Sequence, residues 1–369
     1  MHTDGKRFLV LTPAIDGADG ISALSRQVVQ SLAHASGDRV EVWALDGGPC
    51  QAIAATESEL WSAAGSRLAI VRRTMTRAAR RCDDLHVIVL HVHLAPLASL
   101  LARRGAETTL FLIGIEVWTA LRARERRAIE RADRLLAISA FTVRGFRAAN
   151  PTLADRPVTV CAPGIGAAPR RADVEVADGF ALIVGRLSSH ERYKGHDALI
   201  DIWPAVRAVV NDAQLVVVGD GDDRVRLEAA ATERELADAI TFLGRVDDVV
   251  LAALYDRAAF FVMPSPREGF GLVYLEAMRV GKPCIAVHGS ADEIIRHEVD
   301  GLVVESGSSD ALAAAIVRLF PDADERARMG VAARARVRES FTEEQFSRRL
   351  LRALGGPVMT EVPAVAVSR

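Results

Sequence analysis

Cysteine is sparse in this sequence of 369 residues, and the four that occur, Cys50, Cys82, Cys161 and Cys284, are scattered. No C-x-x-C pair and no histidine cluster stands beside them, which excludes a zinc-binding pattern and a disulfide framework; a reducing cytoplasm is the expected compartment. Long apolar runs are missing too, none approaching the roughly 20 residues that span a bilayer. The opening M-H-T-D-G-K-R passes at once into a strand-like segment, not into the apolar centre of a signal peptide, so export by that route is not expected. There is no short-period repeat and no low-complexity tract of any length. What is present is a core-forming composition, 50% hydrophobic and 25% charged, with slightly positive mean hydropathy, which excludes a disordered or collagen-like chain. The length fits two domains of roughly 100 to 200 residues each.

An overall excess of one charge is also missing, since the net charge is −2, yet the two halves differ. Residues 1–166 hold 21 Lys+Arg against 16 Asp+Glu, a net +5, and the remainder holds 25 against 32, a net −7. Much of the basic excess lies in R-R-T-M-T-R-A-A-R-R (Arg72 to Arg81), with more at Arg103, Arg104 and Arg122 to Arg127. Such a run is either a solvated face or a surface for an anionic membrane or acceptor.

Short apolar, β-branched runs alternate with helical patterns from end to end, the mark of βαβ units around parallel sheets. The expected strands of the front half are Arg7 to Thr12, Val40 to Leu45, His86 to His93, Thr108 to Ile113, Leu135 to Ser139 and Val158 to Ala162. Those of the back half are Ala181 to Gly185, Leu215 to Gly219, Ile240 to Leu243, Phe260 to Pro264, Pro283 to Val287 and Leu302 to Val304. A Gly- and Pro-rich lapse at Pro163 to Asp178 reads as a linker. The expected fold class is therefore α/β: a Rossmann-like domain over 1–166 and another over 167–340, both doubly wound and facing across a cleft. A helix over 341–355 and a flexible tail over 356–369 follow. Ligands of such sheets bind outside the carboxyl ends of the strands, so function is expected in the strand-to-helix turns.

The strongest of these turns is F-F-V-M-P-S-P-R-E-G-F-G-L-V-Y-L-E, in which a strand ends near Met263 and a helix begins near Gly271. Gly269 and Gly271 let backbone approach a ligand, and the helix N-terminus behind them suits a diphosphate. Glu268 lies in the turn, and Glu276, eight positions on, can accept hydrogen bonds from the vicinal hydroxyls of a ribose. This segment resembles the E-x7-E motif of retaining glycosyltransferases of family 4. V-G-R-L-S-S-H-E-R-Y-K-G-H (Val184 to His196) is similar to the family's Arg and Lys pair, with Arg186 and Lys194 in the matching places. The segments V-V-V-G-D-G-D-D, I-T-F-L-G-R-V and G-S-A-D-E-I-I-R-H-E-V-D-G-L-V-V follow the family's order.

The resemblance implies a GT-B fold and transfer of a hexose from a nucleoside diphosphate sugar to a glycan or lipid-linked hydroxyl, with neither metal nor other cofactor. Mannose from GDP-mannose and polysaccharide or glycolipid synthesis are the subfamily's suggestion. Arg186 and Lys194 would grip the pyrophosphate, and Glu268 would bind sugar hydroxyls, not act as nucleophile. Gly244, Arg245 and Val246 would meet the base through backbone, and Gly269, Phe270, Gly271, Leu272 and Glu276 the rest of the donor. The final helix would return to the front domain. Expected partners are the nucleotide sugar, the acceptor and an anionic membrane surface, with no nucleic acid and a place in the cytoplasm or on the inner face of its membrane.

In the front half, Gly20 keeps the place of a donor-approaching glycine, whereas Asp19 stands where the family usually has a second. His91 and His93, expected on one face of a strand end, and Glu116 are candidates for the acceptor. Ile113 replaces a histidine that commonly precedes the glycine at 114, which leaves Glu116 as the nearest polar group. The D-G-D-D run (Asp220 to Asp223) contains D-x-D but reads as a structural turn. Rival readings are a nucleotide-sugar epimerase, a phosphorylase carrying pyridoxal phosphate, a silent sugar-nucleotide-binding protein, and a nicotinamide-dependent dehydrogenase. The last is weakened by Arg224, which stands where the third glycine of its fingerprint belongs.

Overall fold

A computed structural model of the chain describes residues 7–17, 19–36, 40–56, 58–170 and 177–355. It divides into two units, Met1–Gly164 with Thr342–Arg369, and Ile165–Phe341. The centre of the Gly- and Pro-rich stretch, 171–176, and the tail at 356–369 lie outside the described residues.

The first unit contains β1 (Arg7–Thr12), β2 (Glu41–Ala44), β3 (Glu59–Ser62), β4 (Leu85–Val89), β5 (Glu107–Leu112), β6 (Arg134–Ala137) and β7 (Thr159–Val160). They form one sheet in the order β3-β2-β1-β4-β5-β6-β7, parallel at every pairing. The second unit contains β8 (Ala181–Val184), β9 (Leu215–Val218), β10 (Ile240–Gly244), β11 (Phe260–Met263), β12 (Cys284–Val287) and β13 (Gly301–Val304). Its order is β10-β9-β8-β11-β12-β13, again all parallel. These are two Rossmann-like α/β domains. Strands covered on both faces are apolar at most positions, and L-H-V-I-V, L-V-V-V and F-F-V-M are buried at every position, with His86 satisfied by the Thr109 hydroxyl. The strand order reverses between β1 and β4 in one sheet and between β8 and β11 in the other, and the turns after these strands are where a doubly wound sheet leaves room for a ligand.

Two departures from the expected strands have local causes. β3 is an edge strand of four partly exposed residues, too short and too polar to stand out as a pattern; its Trp61 packs edge-on to Trp43 with ring centroids 6.2 Å apart. The strand expected over His86 to His93 stops at Val89. His91 is extended but caps a single 3-10 turn, Val92–Leu94, which runs into a helix at Ala95–Ala102 that has a proline in its first turn. His91 and His93 therefore do not share a strand face. Among the described residues no helix is long and apolar enough to cross a membrane.

The arginine run does not form one free basic surface. Helix Arg67–Ala78 turns Arg73 inward, where its guanidinium lies 4.8 Å from the ring of Trp43 and 4.7 Å from that of Trp61 and pairs with Glu41 at 3.1 Å. Arg77 donates to the Arg81 carbonyl and the Cys82 thiol, and Arg81 pairs with Asp83 at 2.6 Å. Arg77 also reaches Asp84, which holds Arg7, the first residue of β1, at 2.7 Å. The end of the run thus lies at the amino edge of the sheet, opposite the strand ends that carry Gly20, His91 and Glu116. Arg72 and Arg80 are exposed.

Helix Glu343–Ala353 closes the first unit, burying Phe346, Leu350 and Leu351, and Thr342 caps it by accepting from the Gln345 amide at 3.2 Å. The chain passes so close to Gly164 that a Cβ there would lie 2.3 Å from the Thr342 carbonyl oxygen. Gln27 clamps the same glycine, its amide donating to the Gly164 carbonyl at 2.8 Å and accepting from the Gly164 amide at 3.1 Å. In the second unit the acids after β9 hold the turn after β8. Asp222 accepts from the amide and hydroxyl of Ser189. Buried Asp223 accepts from Arg192 and Arg226, and these bonds, Arg226 first, lower its carboxyl to about 2.

Gly164→Ala should destabilise the first unit by about 1–3 kcal/mol, since backbone must shift to admit a methyl group; thermal denaturation against wild type measures it. For Asp223, whose folded value is depressed, the stabilisation is present above the unfolded value of about 3.9 and is lost as pH falls toward about 2. Urea unfolding across that window should show a flatter pH dependence in Asp223→Asn.

Candidate functional site

In the second unit the turns after the adjacent strands β8 and β11 meet. The first runs from Gly185 through a 3-10 turn, Arg192–Lys194, to helix His196–Arg207, and Gly195 between them is left-handed at φ +90°. Besides that angle, which suits glycine, a Cβ on Gly195 would lie 2.4 Å from Pro264 Cγ in the turn after β11. This approach brings Lys194 Nζ to 2.9 Å from Glu268 Oε1, with both side chains 15% exposed. The Ser265 hydroxyl donates to the same Oε1 at 3.1 Å. Arg186 is mostly exposed and lies 3.4 Å from Glu191.

Tyr193 stands among these charges, with Lys194 Nζ 5.7 Å from its ring centroid. Burial pushes its phenol above the ordinary value, the carboxylates of Glu191 and Glu268 add to the rise, and Arg186 and Arg267 oppose it. The phenol therefore keeps its proton and is a donor. His196 is buried at the first position of its helix; burial first and Lys194 second lower it to about 4, so it is neutral near pH 7, and its Nε2 has no hydrogen-bond partner among the described residues. Ser265, Tyr193, Glu191 and Arg267 all lie inside motifs legible in the sequence, but their spacing carries no sign that they converge.

Helix Leu272–Arg279 begins behind Glu268 with Gly271 as its N-cap at φ +102°, and among the described residues no side chain caps its first amides. They remain open to an anion. Phe270 is buried, its ring 5.9 Å from that of Phe341, so a ligand can reach this residue only through its main chain. Gly269 and the half-buried Leu272 flank it. Further along the helix Glu276 Oε2 accepts from the Tyr255 hydroxyl at 2.8 Å. Burial raises the Glu276 carboxyl, while the Tyr255 bond and Arg279 act the other way. Gly244 ends β10, two strands from β8, and Arg245 and Val246 follow it. Gly244 accepts from the Gly219 amide at 2.9 Å, and Gly219 abuts the Gly185 carbonyl, so the three turns pack as one layer.

In the first unit Gly20, His91 and Glu116 follow the neighbouring strands β1, β4 and β5. Gly20 begins helix Gly20–Ser36, and Asp19 caps that helix: Oδ1 accepts from the amides of Ile21 and Ser22 at 2.9 and 3.0 Å, and Oδ2 from the Ser22 hydroxyl at 2.9 Å. Asp19 thus occupies the first amides of this helix. Glu116 does likewise after β5, its Oε1 accepting from Ile113 and Gly114 at 2.7 and 3.1 Å. The rings of His91 and His93 lie 4.7 Å apart. Exposed His93 has a carboxylate partner that the sequence did not reveal, Glu125, buried 3.0 Å away. Desolvation lowers His91, with Glu116 opposing.

Comparison with known proteins places this geometry in context. Residues 170–336 match the family model described as Glycosyl transferases group 1. Over 171 residues the chain is 36% identical to the GDP-mannose-dependent alpha-(1-6)-phosphatidylinositol monomannoside mannosyltransferase of Mycobacterium tuberculosis, covering 44% of this chain and 44% of that protein. It is 35% identical over 149 residues to the N-acetyl-alpha-D-glucosaminyl L-malate synthase of Bacillus anthracis, covering 40% of this chain and 39% of that one. The chain thus spans less than half the length of these curated relatives. In fold it is similar to Anabaena HepE, crystallised with UDP and glucose, at a TM-score of 0.76 and 19% identity over 95% of this chain and 100% of that one. It is also similar to the sucrose-phosphate synthase of Thermosynechococcus elongatus, at a TM-score of 0.73 and 20% identity over 95% and 98%. The chain has the two-domain GT-B fold, and its residues 170–336 match the glycosyl transferases group 1 family model.

Proposed function

We propose that the protein is a retaining glycosyltransferase of family 4 that moves a hexose from a nucleoside diphosphate sugar, GDP-mannose being the favoured donor, to a hydroxyl of a glycan or lipid-linked acceptor in polysaccharide or glycolipid synthesis. One observation carries this reading: Lys194 meets Glu268 across the switch point of the second sheet, in front of an uncapped helix N-terminus. The mannosyltransferase relatives, at 36 and 37% identity, support the sugar and the base.

When the bond between the sugar's anomeric carbon and the diphosphate oxygen breaks, negative charge grows on the diphosphate. Lys194 and Arg186 supply fixed positive charge there, the ammonium as a point charge and the guanidinium in two-point contact. The amides at Gly271 take up a further phosphate oxygen. In the free protein Glu268 already neutralises Lys194; a bound diphosphate competes for the ammonium and leaves the carboxylate to the sugar hydroxyls. Glu276 accepts from the ribose. The acceptor hydroxyl attacks the same face from which the diphosphate leaves, forming the new C–O bond as the old one breaks, and the departing phosphate oxygen takes its proton. Glu268 clamps the sugar and forms no bond to it. In this reading the two cations do the work of a divalent ion, and no cofactor takes part.

The acceptor side belongs to the first unit, with Glu116 and His91 at its strand ends. An anionic membrane surface fits helix Arg67–Ala78, on whose outer face Leu68 and Met75, 67% and 62% exposed, flank exposed Arg72. Such a surface supports a place in the cytoplasm or on the inner face of its membrane.

Arg186→Ala and Lys194→Ala should each lower kcat/KM by about two orders of magnitude with the fold intact, and a chelator should leave the wild-type rate unchanged; steady-state kinetics with GDP-mannose checks both. Near-normal turnover in either variant would remove the diphosphate role. For the membrane, sedimentation with anionic vesicles at low salt should carry the protein down, neutral vesicles should not, and 1 M salt, with a Debye length of about 3 Å, should release it. Equal binding to both lipids, or to neither, would leave the arginines as a solvated face.

A further inference from the structure

Each acid of the 268 and 276 pair is tethered by a buried hydroxyl at one oxygen and left open at the other. On Glu268 both donors converge on Oε1, Lys194 Nζ at 2.9 Å and Ser265 Oγ at 3.1 Å. Ser265 is 1% exposed, and its amide donates to the Met263 carbonyl at 2.9 Å, so it is fixed to the end of β11. On Glu276 the donor is Tyr255 Oη, 2.8 Å from Oε2. Tyr255 is 2% exposed on helix Asp248–Arg257, with its ring 5.9 Å from that of Phe261. Neither Glu268 Oε2 nor Glu276 Oε1 receives a hydrogen bond among the described residues.

A carboxylate has about four acceptor sites on two oxygens. An acid with only a structural task has no reason to leave one oxygen unused while a rigid hydroxyl holds the other. Tethering at one oxygen fixes the rotamer and presents the second oxygen in a set direction, which lowers the ordering cost when a ligand hydroxyl arrives.

We propose that Ser265 and Tyr255 are positioning residues: Ser265 aims Glu268 Oε2 at a hydroxyl of the transferred sugar, and Tyr255 aims Glu276 Oε1 at the ribose. The inference rests on the nucleotide-sugar reading above and extends it to two residues that touch no ligand. The two tethers act on different parts of the donor, so their loss has different signatures. Ser265→Ala lowers kcat about ten-fold with the affinity for free GDP unchanged, because GDP carries no sugar. Tyr255→Phe weakens GDP binding about ten-fold and leaves kcat at saturation nearly unchanged.

A pH signature separates aiming from mere packing. The groups acting on Glu276 are Tyr255 and Asp248 from the neighbouring helix and Arg279 from its own. The Tyr255 bond favours the ionised carboxylate, so removing it lets burial raise the carboxyl further. The midpoint at which GDP affinity falls on acidification should then move to higher pH in Tyr255→Phe.

The experiment is calorimetric titration of the full chain with GDP from pH 4 to 8, together with steady-state kinetics with GDP-mannose, for wild type, Ser265→Ala, Ser265→Thr and Tyr255→Phe. The expected result is the split described, with Ser265→Thr, which keeps the hydroxyl, restoring kcat. Should the threonine variant not fold, Ser265→Cys, similar in size but a weak donor, is expected to behave as Ser265→Ala does. Wild-type GDP binding and turnover with kinetics and pH midpoint unchanged in both hydroxyl deletions would overturn the inference and leave the functional reading standing. Absence of both GDP binding and turnover with GDP-mannose in the wild type would overturn that reading, and the inference with it.

Discussion

The ion pair between Lys194 and Glu268 ties together residues 74 positions apart, and the second unit's candidate site depends on it. It forms because β8 and β11 are neighbours at the place where the sheet reverses its order, so the turns leaving their carboxyl ends run side by side. Glycine at 195 lets the first turn come within van der Waals reach of Pro264, and Gly219 presses against the Gly185 carbonyl from the other flank. Asp222 and Asp223 then hold the outer part of the same turn. In the proposed reaction, a cation and an anion kept together with little exposure form a poised arrangement: the ammonium is desolvated in advance of a phosphate, and the carboxylate neutralises it until one arrives.

The first unit arranges its charge differently from what a count along the chain implies. Residues 1–166 are net basic, yet the strand ends where a ligand would sit carry Asp19 and Glu116, each taking up turn amides, and a His91 disfavoured as a cation by desolvation. The arginines of the 72–81 run lie toward the other edge, and three of them are engaged with carboxylates or aromatic rings. Net charge summed over a segment says nothing about which edge of the sheet bears it, because helices carry their two ends to opposite edges.

Sequence similarity and structural similarity cover different extents. The family match is confined to residues 170–336, whereas structural neighbours at 19 and 20% identity align with 95% of the chain. A parallel sheet asks only for apolar residues of suitable size at buried positions, a demand that many sequences meet. A site asks for particular side chains and glycines at particular turns, and those demands are concentrated in the second unit.

The amino-acid sequence by itself determined the α/β class and nearly every strand of both sheets, since strands buried on both faces read as continuous apolar runs. It also determined the candidate residues in the turns after β8 and β11, because glycines and acids there break the apolar pattern at regular spacing. Only the tertiary structure decided that β3 exists as a polar edge strand, that the segment at His91 leaves the sheet as a 3-10 turn, and that Asp19 caps a helix instead of opening it to phosphate. It alone joined His93 to Glu125, Ser265 to Glu268 and Tyr255 to Glu276. The last pair spans 21 residues and two helices. Each helix alone shows only its own periodicity; which hydroxyl faces which carboxylate is set by how both pack on the sheet, and no local pattern records that.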